Sequence, residues 1–93
     1  MNFYLYIVIA PSGLPEGEAS GAFGKFADDL RLALAALDPQ ASVEQRARPA
    51  RQNTRAVDIR TKLTLAPLED IVDKCARDNQ VRAYLATVRP QRP

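Results

Sequence analysis

The sequence predicts an α+β fold in which strands and helices follow one another as strand, helix, strand, strand, helix, strand. Three observations carry that prediction. Residues 3–10, Phe-Tyr-Leu-Tyr-Ile-Val-Ile-Ala, are apolar or aromatic without a break, rich in strand-forming types and closed by Pro11. Phe23, Phe26, Ala27, Leu30, Leu34 and Leu37 recur at three- and four-residue steps, the spacing of one helix face. Residues 55–65 alternate, with Val57, Ile59, Leu63 and Leu65 on one parity and Asp58, Arg60 and Lys62 on the other.

Taken in order, the first run is a strand buried on both faces, because a helix of that length is marginal and proline ends the run. Pro11-Ser12-Gly13-Leu14-Pro15-Glu16-Gly17 is a turn-rich loop. The first helix then starts at Ser20 as N-cap, or earlier near Pro15, and ends at Asp38-Pro39. Its Lys25, Asp28, Asp29 and Arg31 fall off the apolar stripe and are expected in water. Residues 42–48 read as the second strand, with Val43, Gln45 and Ala47 on one side and Glu44, Arg46 and Arg48 on the other; Pro49 suits an edge position. Residues 51–54 make the hairpin connection, Asn53 being able to take positive φ. The third strand runs over residues 55–65. Ala66-Pro67 opens the second helix, whose buried stripe is Leu68, Ile71, Val72 and Cys75, with Asn79 as its left-handed stop. Residues 81–88 form the last strand.

With right-handed crossovers this order gives a ferredoxin-like βαββαβ sandwich: a four-stranded antiparallel sheet with two helices on one face. The first and third strands are then central. The most apolar run occupies one central position and the proline-bearing strand an edge, as that topology requires. Residues 1–89 make the single domain expected of 93 residues, and 90–93 a flexible C-terminal tail.

Composition narrows the chemistry. The chain has no histidine, which takes away the commonest metal ligand and the commonest general base together. No metal site and no cofactor are expected. One cysteine forms no internal disulfide, so a reducing, cytoplasmic setting is the natural expectation. No run approaches the ~20 apolar residues of a membrane helix, and no basic residue precedes the first apolar segment, so neither membrane insertion nor targeting is expected. The net charge of +2 is too small to require a polyanionic partner. It is unevenly spread, however. Residues 1–39 carry a net −3 and residues 40–63 a net +4, so the basic excess sits on the central hairpin.

The uncovered sheet face is the expected working surface. With Leu5, Ile7 and Ile9 directed at the helices, Tyr4, Tyr6 and Val8 would point outward. The candidate binding residues are then Tyr4, Tyr6, Arg46, Arg48, Arg51, Arg60, Lys62, Arg82 and Tyr84. The first reading is a non-enzymatic interaction module whose tyrosine-rich face meets a protein partner or a second copy of the chain, since such an apolar patch is large to leave wet. The second is single-stranded nucleic acid, with phosphates on the cations and bases on the rings. In topology the chain resembles an RNA-recognition-motif domain, and Leu5-Tyr6-Ile7-Val8-Ile9-Ala10 stands where that family's first strand places its stacking aromatic. Arg55-Ala56-Val57-Asp58-Ile59-Arg60 lacks the aromatics and glycine of the family's third-strand motif. The third reading is a dimeric ferredoxin-like enzyme resembling small monooxygenases or isomerases, with Asp58, Tyr4, Tyr6 and Arg60 as candidate groups. An Asp58–Arg60 surface pair is the simpler account of those residues.

Three smaller features have structural readings. Gly21-Ala22-Phe23-Gly24 has GxxG spacing, but the helical stripe needs Phe23 and close helix packing would explain the glycines. Pro11-Ser12-Gly13 reads as a turn, lacking the lysine of a phosphate loop. Cys75 reads as a small buried hydrophobe.

Overall fold

The computed structural model describes residues 1–46 and 53–90. Its elements are β1 (Asn2–Ile9), α1 (Glu16–Ala35), β2 (Ser42–Arg46), β3 (Thr54–Thr61), α2 (Leu65–Asp78) and β4 (Arg82–Pro90). The strands form one antiparallel sheet in the order β2-β3-β1-β4. This is the ferredoxin-like sandwich, with β1 and β3 central.

The core lies between one sheet face and the two helices. From α1 come Phe23, Phe26, Ala27, Leu30 and Leu34, and from α2 Leu68, Val72, Cys75 and Ala76. They meet Tyr4, Tyr6 and Val8 of β1, Val57 and Ile59 of β3 and Val43 of β2. The helical stripes were thus legible, with two differences. Leu37 lies past the end of α1 and is exposed, and Ile71 is only half-buried.

Helix α1 begins at Glu16, the earlier of the two expected starts, with Pro15 at its N-cap and the Ala19 N–H donating to the Pro15 carbonyl. Several other boundaries differ from expectation for identifiable reasons. Strand β3 stops at Thr61 rather than residue 65 because Asp38 intercepts it. Its carboxylate accepts from the Thr61 hydroxyl at 2.8 Å and from the Lys62 N–H at 2.9 Å. Leu65 is therefore the first residue of α2. At the other end of α2, Asn79 has φ −108° and the left-handed residue is Gln80, φ 56°. The Asn79 amide is already committed, donating to the Cys75 carbonyl and to Asp29.

Among the glycines, Gly13 at φ 90° makes the turn after β1. A Cβ at Gly21 or Gly24 would meet no atom within 4 Å, so close packing does not account for those two. The Arg31 guanidinium, expected in water, donates to the Val43 carbonyl from Nε and Nη2 and ties α1 to β2. Strand β4 reaches Pro90, where the tail was expected to begin; residues 91–93 lie outside the described residues. No helix among the described residues is long and apolar enough to cross a membrane.

Candidate interaction face

The face of the sheet away from the helices is set by strand register. Along β1 the side chains on that face are Phe3, Leu5, Ile7 and Ile9, because Tyr4, Tyr6 and Val8 are the ones buried. The outward parity on β1 is therefore the reverse of the one expected. Tyr4 and Tyr6 do not belong to the open face; they are 3% and 2% exposed, beneath the helices. An unbroken apolar run contains no alternation from which to read parity, and a shift of one residue exchanges the two faces. The pairing of Tyr4 with Ile59 and Tyr6 with Val57 resolves it, since Val57 and Ile59 are core residues.

Tyrosine on the helix side is feasible because its hydroxyl can reach past the core. The Tyr4 hydroxyl donates to the Leu63 carbonyl at 2.8 Å, where β3 has ended. Tyr6 is different: its hydroxyl is buried and finds no partner among the described residues. Burial, reinforced by the nearby carboxylates of Glu69 and Asp73, raises its pKa and keeps it protonated.

The other expected residues divide three ways. Arg46, Arg60, Arg82 and Tyr84 stand on the open face, placed there by pairing with residues of that face. Lys62 is exposed but lies beyond the end of β3, its backbone held by Asp38. Arg48 and Arg51 lie outside the described residues, as do Ala47 and Pro49.

What the face carries in place of the two tyrosines is an apolar row along a central strand. Phe3 is 38% exposed, Leu5, Ile7 and Ile9 are half-buried, and Tyr84 beside Ile7 is 53% exposed. A bulge at Ala86, between the pairs Tyr6–Leu85 and Leu5–Thr87, keeps both Tyr84 and Thr87 on this side. Charge of both signs borders the row. Arg46 forms an ion pair through Nε with Asp58, diagonally across from β2 to β3. Glu44 stands directly opposite Asp58. The Arg60 guanidinium lies 5.4 Å from the centre of the Phe3 ring, within cation–π range. Phe3, Leu5, Glu44, Arg46, Asp58 and Arg60 border a concavity of about 760 Å³.

This surface does not present the row of stacking rings that a three-tyrosine face would have offered. The missed residues were Leu5, Ile7 and Ile9, which sequence reasoning assigned to the core. The signal available for them was the absence of any polar residue from the run: a strand covered on one side only tends to alternate.

No family model matches the chain, and no curated protein matches it. Among solved structures it is similar to a de novo designed protein with ferredoxin fold, determined by solution NMR. That likeness has a TM-score of 0.67 and 9% sequence identity, and covers 94% of this chain and 86% of that one. At such low identity it bears on architecture alone, and the architecture is the ferredoxin-like sandwich.

Proposed function

We propose that this chain is a small non-enzymatic interaction module and that the occupant of its open sheet face is a second copy of itself. The observation that carries the reading is the row Phe3, Leu5, Ile7 and Ile9. One side of β1 is sealed by helices, while the other holds four apolar side chains in line that no helix among the described residues covers. A second sheet laid face to face, about 10 Å away, would cover that row.

Three further observations support it. First, strands of eight, five, eight and nine residues give a footprint of roughly 500 Å². Side-chain relief raises the accessible area toward the ~800 Å² per partner of a stable interface. Second, both sheet edges are modified: Arg31 occupies an outer carbonyl of β2, and β4 is bulged. Such features disfavour edge-to-edge pairing and leave the face as the route to association. Third, the face mixes Glu44 and Asp58 with Arg46, Arg60 and Arg82, a composition that suits a self-complementary contact better than a polyanion. The nucleic-acid reading loses two of its three tyrosine rings to the core. A cytoplasmic setting belongs to the same proposal, since the lone Cys75 suits a reducing compartment.

The test is the solution mass. Sedimentation equilibrium across micromolar concentrations is expected to give twice the chain mass, with little dependence on salt. A single-chain mass throughout, together with oligonucleotide binding that weakens steeply as salt rises, would replace this reading with the nucleic-acid one.

A further inference from the structure

We propose that the two sheets meet across a two-fold axis running perpendicular to the strands, so that Glu44 of each copy pairs with the partner's Arg46. This rests on the self-association reading above and adds to it an orientation and a pair of specificity residues.

Strand register divides the open face into rungs. Phe3 shares a rung with Arg60, Ser42 and Arg89; Leu5 with Asp58, Glu44 and Thr87; Ile7 with Ala56, Arg46 and Tyr84; Ile9 with Thr54 and Arg82. A two-fold contact uses the same patch twice, and for two aligned sheets the axis in the interface runs either along the strands or across them. An axis along the strands, midway between β1 and β3, lays each rung on itself. Leu5 would then press on the partner's Asp58, and Glu44 would face the partner's Thr87 and gain no cation. An axis across the strands, midway between the Leu5 and Ile7 rungs, exchanges those two rungs and the two outside them. Leu5 then meets the partner's Ile7, and Phe3 the partner's Ile9, each contact occurring twice. Apolar side chains cover apolar side chains.

At the β4 edge the same operation sets Arg82 opposite the register position of the partner's Arg89, while on the two middle rungs it sorts the charges. Both acids of the face, Glu44 and Asp58, stand on the Leu5 rung, and Arg46 stands on the Ile7 rung. Within one chain Glu44 and Asp58 are directly opposite, a like-charged cross-strand pair that is unfavourable when isolated. Arg46 relieves Asp58 through Nε, and its two terminal guanidinium nitrogens, which have no partner among the described residues, suit a second carboxylate. Exchange of the rungs brings the partner's Arg46 to Glu44, and Arg46 to the partner's Glu44. An axis along β1 itself would also lay the apolar row on its copy, but it would carry Glu44 past the partner's sheet edge; the axis across the strands covers the row and neutralises the acid pair together.

The experiment uses the full chain and two single variants, Glu44→Arg and Arg46→Glu. The first is expected to keep its fold, since it places a cation opposite Asp58 where an acid stood. Alone, each variant should self-associate about tenfold more weakly than the original chain, or worse, because like charges then face each other across the axis. Mixed in equal amounts, they should form the heterodimer in preference to either homodimer by native mass spectrometry. The double variant carrying both changes should return to within about threefold of the original affinity. A dimeric original chain whose single variants associate as tightly as it does, or mix without preference, would overturn the pairing while leaving self-association intact. A monomeric original chain would overturn both.

Discussion

Along β1 the even-numbered side chains Tyr4, Tyr6 and Val8 lie under the helices at 3%, 2% and 0% exposure. The odd-numbered Phe3, Leu5, Ile7 and Ile9 stand half-covered or exposed on the far side. On any transfer scale the second set is at least as apolar as the first, yet it is the first that the helices cover. Hydrophobicity therefore did not choose the face. Shape and register did: β1 pairs with β3 so that its tyrosines flank Val57 and Ile59, and those side chains face Phe23, Phe26 and Leu30 of α1. The contrast teaches that one face of this sheet is held by packing within the chain, and that the other has apolar material which that packing does not use.

The two faces should therefore respond to mutation in different measurements. The largest effect is expected from Phe26→Ala in the covered core, where Phe26 is 1% exposed. Loss of a buried ring and the cavity left behind should cost ~3–5 kcal/mol of unfolding free energy by urea titration. A cost below ~1 kcal/mol would mean that the helix side is not the packed one. Next comes Ile7→Glu on the open face, where the side chain is only half-buried in the single chain. Here the unfolding free energy of the monomer should change by less than ~1 kcal/mol. The solution mass should nevertheless fall from two chains to one, because an unpaired carboxylate does not enter an apolar sheet contact without a large cost. An unchanged dimer mass would move the contact to another surface.

How much of this was legible in the sequence follows from where periodicity exists. Helix α1 announced its buried stripe because Phe23, Phe26, Ala27, Leu30 and Leu34 are interrupted by charges at the right steps. Strand β3 announced its parity because Asp58 and Arg60 alternate with Val57 and Ile59. The fold followed from those two patterns and the order of elements. Strand β1 has no such interruption, so its orientation was open, and the choice of leucine and isoleucine over tyrosine as core residues reversed it. The reach of a tyrosine hydroxyl, used by Tyr4 to find the Leu63 carbonyl, is a tertiary fact that no local pattern encodes. The end of β3 was hidden for the same reason. Asp38 and Thr61 are 23 residues apart, and the hydrogen bond between them replaces the strand that the alternation seemed to extend.

A smaller effect separates two residues on the same face of the same strand. Tyr4→Phe removes a hydroxyl that donates at 2.8 Å to the Leu63 carbonyl, and should cost about 0.5–1.5 kcal/mol. Tyr6→Phe removes a hydroxyl that is buried without a partner among the described residues. That change should be neutral or stabilising, by up to about 1–3 kcal/mol, since an unsatisfied polar group leaves the core and the ring remains. Equal losses at both positions in denaturant titrations would show that Tyr6 has a hydrogen-bond partner after all.

The last prediction concerns the device that closes the covered side at the end of β3. Asp38 is buried; its carboxylate accepts first from the Lys62 N–H, then from the Thr61 hydroxyl at 2.8 Å and the Gln40 N–H at 3.1 Å. These bonds favour the charged form over the opposing effect of burial and hold the carboxyl below its usual range. A group whose pKa is lower folded than unfolded stabilises the fold above its unfolded value, about 3.9 for aspartate. That contribution is lost as pH falls through the lower, folded value. Stability from this group should therefore be flat from neutral pH down to about 5 and decline below about 4. Asp38→Asn should start less stable at neutral pH, because its amide offers one acceptor where three donors converge. In urea titrations repeated down the acid range, the gap between the original chain and this variant should narrow as Asp38 takes up its proton. A gap of constant width would show that the carboxylate charge contributes nothing there, and that geometry alone ends β3 at Thr61.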